Sequence, residues 1–132
     1  MYYNKTPIEL DCGLHYFKET LNSKWKLMLV YYISEGYKRP SELQRAIPNA
    51  DRRVLAKQLT ELTLHGFITK EIYNSKIQKV EYSLTKLGIN LLPLIYAIER
   101  WGQKHQLDLE DGLKKDPKLK NIVLNYNKIK TL

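Results

Sequence analysis

Between residues 51 and 67 the apolar positions recur with a helical period and leave the cations on the opposite side. Leu55, Leu59 and Leu62 are spaced by four and three, which puts them in one stripe able to pack on a core. Arg52, Arg53, Ala56, Lys57 and Thr60 fall on the other face. Asp51 stands before the run as an N-cap and Gly66 after it as a stop, so the pattern predicts a helix over 51–65. After Gly66 the period drops to two. Ile68, Lys70 and Ile72 alternate with Thr69, Glu71 and Tyr73, and beyond a polar break Val80, Tyr82 and Leu84 share a face. This predicts a hairpin, or wing, over 67–84, with Lys76 and Lys79 at its tip.

The same reading extends in both directions. Ser23 is read as the cap of a central helix in which Trp25, Leu29 and Ile33 step by four, ending at Gly36. A shorter helix follows with Pro40 at its first position and Leu43 and Ile47 inward, closed by Pro48. The short link 48–50 suits a helix-turn-helix. Upstream, a helix from about Cys12 to Leu21 carries Leu14, Tyr16, Phe17 and Leu21. Downstream, Leu87, Leu91, Leu94, Ile95, Ile98 and Trp101 recur at helical spacing over 85–103, with Leu92 and Tyr96 as a second strip. That helix is too apolar for a lone surface helix and is read as a dimer contact. Residues 107–112 are read as an acidic connection and 116–130 as a C-terminal helix capped by Asp116. The fold expected is mainly α with a small β-hairpin (α+β): one winged helix-turn-helix domain over 1–132, flanked by N- and C-terminal dimerisation helices.

Charge points to an anionic partner. Of a net +8, residues 24–82 carry 11 bases and 6 acids, or +5, so the excess covers the proposed reading head as well as the tail. A cationic helix followed by a cationic hairpin is the order of parts with which a winged helix reads double-stranded DNA. The 43% apolar content suffices for a core, and no apolar run is long enough for a bilayer. The start of the chain lacks a secretory pattern, so a cytoplasmic location and no membrane partner are expected. One cysteine makes no internal disulfide, three scattered histidines form no metal cluster, and no cofactor is expected. Cys12 and His15 lie three apart without an orienting group or oxyanion site, so an enzyme is not expected.

Several segments carry a family resemblance: Cys12, Lys24-Trp25-Lys26-Leu27, Ser41-Glu42-Leu43, Gln58-Leu-Thr-Glu-Leu62 with Gly66, Val80-Glu-Tyr-Ser-Leu-Thr85 with Gly88, and Trp101-Gly102. Over residues 12–105 the chain resembles the HxlR-type regulators, winged-helix transcription factors related in architecture to the MarR group. The resemblance implies a homodimer on an operator, more often a repressor, and members similar here sense oxidants or electrophiles through an N-terminal cysteine. Gly13 where proline is usual, a wing tip without paired prolines, and Asp51 in place of a capping serine depart from the pattern.

Distinct roles follow for the cations. Arg52, Arg53 and Lys57, with Thr60 on the same face, are the candidates for base edges and nearby phosphates. Lys24, Lys26, Lys38 and Arg39 are assigned to phosphates, and Lys76 and Lys79 to the groove beside the wing. Gln58 lies nearer the packed side. Dimer contacts fall to Leu14, Phe17, Leu91, Leu94, Ile95, Ile98 and Trp101. Cys12 is the candidate redox switch: the positive end of a helix dipole makes a thiol more reactive, and Asp11 beside it acts against this. The plain alternative is a small apolar residue in the dimer contact. For the whole chain the alternative is a winged-helix module that binds RNA or a protein partner without redox sensing.

Overall fold

A computed structural model describes residues 12–73, 76 and 79–119. Its elements are α1 (Gly13–Leu21), α2 (Lys26–Ser34), α3 (Pro40–Ala46), α4 (Arg52–Leu64), β1 (Ile68–Tyr73), β2 (Lys79–Leu84), α5 (Lys86–Lys104) and α6 (Gln106–Lys114). The order is the mainly helical α+β arrangement expected, four helices before a hairpin and the long α5 after it. The chain divides between Leu92 and Pro93, inside α5, into two compact units. No helix among the described residues is long and apolar enough to cross a membrane.

In the first unit α2 is the centre, with Leu29, Val30 and Ile33 buried and contacts to α3, α4 and β2. Leu43 and Ile47 close it from α3, Leu55, Leu59 and Leu62 from α4, and Phe67, Ile68 and Tyr82 from the base of the hairpin. Gly36 and Gly66 adopt φ of 102° and 87°, the left-handed region that favours glycine. At Gly66 the Phe67 N–H returns to the Leu62 carbonyl at 3.0 Å, which closes α4 and turns the chain into β1. The strands pair antiparallel from Ile68 with Leu84 to Tyr73 with Lys79.

Ser23 does not cap α2. The helix begins at Lys26, because the Trp25 N–H that a Ser23 cap would satisfy donates instead to Gln58 Oε1 of α4 at 3.1 Å. α3 starts as expected with Pro40, and its Glu42 carboxylate accepts from the N–H groups of Lys38 (3.1 Å) and Arg39 (3.0 Å). These bonds, the one from Arg39 foremost, hold the Glu42 carboxyl below the usual carboxylate range. The turn into α4 is closed by Gln44, whose Nε2 donates to the Ala50 carbonyl at 2.8 Å.

In the second unit, residues 106–114 form α6, not the acidic connection expected at 107–112. The acids there favour a helix: Asp108 lies in its first turn and Lys114 in its last, each complementing the helix dipole, and Gln106 Nε2 donates to Glu110 one turn on at 2.8 Å. The Trp101 and His105 rings meet at a tilt of 46° with centroids 5.1 Å apart. Asp116 Oδ1 accepts from Lys118 N at 2.9 Å. The C-terminal helix expected at 116–130 falls, from residue 120 on, outside the described residues.

Candidate nucleic-acid interface

α4 carries two chemistries on two faces. Leu55, Gln58, Leu59 and Leu62 are buried, and Arg52, Arg53, Ala56, Lys57 and Thr60 are exposed. Arg53, Lys57 and Thr60, spaced four and three apart, form one line along the outer face. Asp51 Oδ1 accepts from Arg53 N at 2.7 Å, which fixes the first turn and occupies the nearest acid with the backbone. Among the described residues no acid pairs with Arg52, Arg53 or Lys57, so their charges stay available to a polyanion. Thr60 donates its hydroxyl to the Ala56 carbonyl at 3.0 Å, leaving its oxygen as an acceptor.

The surrounding cations divide. Lys24 is exposed, with Nζ 5.2 Å from the centre of the Trp25 ring. Lys38 is exposed, and its carbonyl accepts from Tyr82 N of β2 at 2.8 Å. Arg39 reaches the same strand, Nε to Glu81 Oε2 at 3.4 Å, with half of its side chain still exposed (47%). These two links fix the base of the wing beside the helix-turn-helix. Lys76 and Lys79 are both exposed on the wing, and residues 74, 75, 77 and 78 of its tip lie outside the described residues.

Lys26 is placed otherwise than expected. Its side chain is 6% exposed, and Nζ pairs with Glu61 Oε1 of α4 at 3.2 Å and donates to the Thr20 carbonyl at 3.2 Å. It faces into the protein and not toward a phosphate. The spacing holds the reason: Lys26 precedes Leu29, Val30 and Ile33 by three, four and seven, so it sits on the buried stripe of α2. Gln58 likewise faces inward. Two exposed apolar residues of α4 were not singled out from the sequence, Val54 at the side and Leu64 (78% exposed), one turn beyond Thr60 on the outer line.

Apolar surface is concentrated on other helices. In α1, Leu14 and Tyr16 are exposed and Phe17 half-buried, and Cys12 occupies the exposed N-cap position of that helix. Its carbonyl accepts from His15 N at 3.0 Å, while its thiol makes no capping bond. In α5, Leu87, Leu94, Ile98 and Trp101 are exposed, Leu91 is half-buried, and Ile95 is buried within the chain, so of the residues expected at a dimer contact Ile95 offers little surface. α6 adds the exposed Leu107 and Leu109, within the connection expected at 107–112, and Leu113 just beyond it.

Comparison with known proteins places this geometry. The profile of a family described as HxlR-like helix-turn-helix matches residues 20–110. YkvN of Bacillus subtilis, described as an uncharacterized HTH-type transcriptional regulator, is 39% identical over 94 residues, covering 71% of this chain and 80% of its own. YybR of the same organism, described in the same words, is 35% identical over 117 residues, covering 86% and 94%. Among solved structures, the redox regulator HypR in its reduced form superposes with a TM-score of 0.70 at 34% identity, over 76% of this chain and 99% of that one.

Proposed function

This chain belongs to the HxlR-like helix-turn-helix family of transcriptional regulators, and from that premise we propose that it binds a near-palindromic DNA operator as a homodimer and acts as a repressor. It is not an enzyme. The observation that carries the reading is the line Arg53, Lys57 and Thr60: two cations with no ion pair among the described residues, and an acceptor, on the outer face of a helix whose opposite face is locked into the core. Arg52, Arg53 and Lys57 meet base edges and adjoining phosphates, with Arg able to bind guanine through two parallel bonds. Lys24, Lys38 and Arg39 set the register on the backbone, and Lys76 and Lys79 follow the groove beside the wing.

The exposed apolar residues of α1 in the first unit, and separately those of α5 and α6, support the dimer, since apolar surface left open on a folded chain marks an interface. Two-fold symmetry then sets the two copies of α4 about one DNA turn apart, ~34 Å. Cys12 is the proposed switch through which an oxidant or electrophile releases the operator. It is exposed at the start of α1, and the redox regulator HypR is similar over most of this chain. A cytoplasmic location accompanies the reading.

A mobility shift on the DNA upstream of the chain's own gene, at moderate salt with excess competitor, tests it. Preference for that DNA by roughly a thousandfold over random sequence is expected. Equal binding to both would count for a module directed at RNA or at a protein.

A further inference from the structure

Two polar residues among those described are buried, Lys26 (5% exposed over the whole residue) and Gln58 (7%), and both serve one joint. Lys26 opens α2 and reaches two other helices: its Nζ donates to the Thr20 carbonyl in the last turn of α1 at 3.2 Å and pairs with Glu61 of α4 at 3.2 Å. One residue earlier, Trp25 N donates to Gln58 Oε1, also on α4, at 3.1 Å. The junction of α1 and α2 is therefore bound to α4 at two points, Gln58 and Glu61, which are neighbours on one flank of that helix.

Apolar side chains would close such a joint at no loss of stability, because replacing an ion pair taken out of water by packed apolar groups is often neutral or favourable. What apolar packing does not supply is direction. A leucine stripe tolerates a helix turning slightly about its axis, whereas two hydrogen-bonded links on one flank admit a single rotation. The rotation of α4 decides where Arg53, Lys57 and Thr60 point, and base reading depends on that direction as phosphate attraction does not.

We propose that Lys26 and Gln58 are positioning residues for DNA reading: they clamp α4 against the end of α1 so that its outer line meets the groove in one register. The inference rests on the DNA-binding reading above. It also gives α1, which bears Cys12 at its far end, a polar connection to the reading helix through Thr20.

The test is Lys26→Met combined with Glu61→Gln, which removes the ion pair without leaving a charge buried. Affinities for a duplex from the upstream region and for a random duplex of equal length are compared at several salt concentrations, under conditions where circular dichroism shows both proteins folded. A roughly tenfold fall in the preference for the upstream duplex, with random-sequence affinity and salt slope unchanged, is expected. Undiminished preference would overturn the inference and leave the joint a purely structural contact. A fall on both duplexes with a shallower salt slope would overturn it in favour of a phosphate contact by Lys26. If the double variant does not fold, Lys26→Met alone carries the same comparison, since the Glu61 side chain it leaves unpaired is 37% exposed and open to water. Should the unaltered protein show no preference, the DNA-reading account itself falls, and this inference with it.

Discussion

A Cβ at Gly88 would lie 2.3 Å from the carbonyl oxygen of Phe67. That carbonyl already accepts from Thr85 N at 3.0 Å, and the Thr85 hydroxyl donates to the Gly66 carbonyl at 2.6 Å while accepting from Gly88 N at 3.1 Å. The start of α5 is thus set directly on the turn that joins α4 to the wing.

Gly88→Ala should therefore destabilise the protein despite alanine's better helix propensity. Propensity offers up to ~1 kcal/mol, while forcing a methyl group against backbone costs ~1–3 kcal/mol. A lowered thermal midpoint is expected, and a raised one would show that α5 can shift freely.

Arg53→Ala should cost ~1–3 kcal/mol of operator affinity, concentrated at one base position. Binding to a panel of single-base operator variants would reveal it as lost discrimination at that position. A uniform loss over the panel, with the salt slope reduced by about 1, would assign Arg53 to a phosphate.

Glu42 predicts a pH dependence. Its folded-state value is lowered, so the stabilisation by its carboxylate is present above the unfolded value of about 4.3 and is lost as pH falls through the lower folded value. Glu42→Gln keeps an acceptor but not the charge. The gap in melting temperature between the two proteins should be widest near neutral pH and close in acid; a gap constant with pH would contradict the assignment.

Diamide treatment separates the two readings of Cys12. Weaker operator binding by the wild type, with Cys12→Ser unaffected, is expected. Equal responses would leave Cys12 a packing residue, and since it is the one cysteine in the chain, any disulfide within the protein must join two copies.

What was legible in the sequence is what repeats or is locally determined. The stripe Leu55, Leu59 and Leu62, the stops at Gly36 and Gly66, Pro40 at a helix start and the alternation through Tyr82 all reflect chemistry within a few residues, and each of these features is present in the fold, whereas α2 begins later than a Ser23 cap would place it. What was not legible depends on partners distant in sequence. Ser23 is a good cap by type, but the Trp25 N–H it would cap is taken by Gln58, thirty-three residues beyond Trp25. Lys24 and Lys26 look alike as cations, and a Glu61 brought alongside by folding turns one of them inward. In α6 the run of acids obscured the helical recurrence of Leu109 and Leu113. The cationic outer face of α4 was legible because an exposed face is specified by what the helix does not bury.

Hydroxyl-radical footprinting of the upstream region tests the central claim most directly. Two protected patches are expected on one face of the DNA, about one helical turn or ~34 Å apart and related by an imperfect palindrome, with two chains bound per site. A single patch, or protection with no fixed position, would contradict a paired reader built on α4.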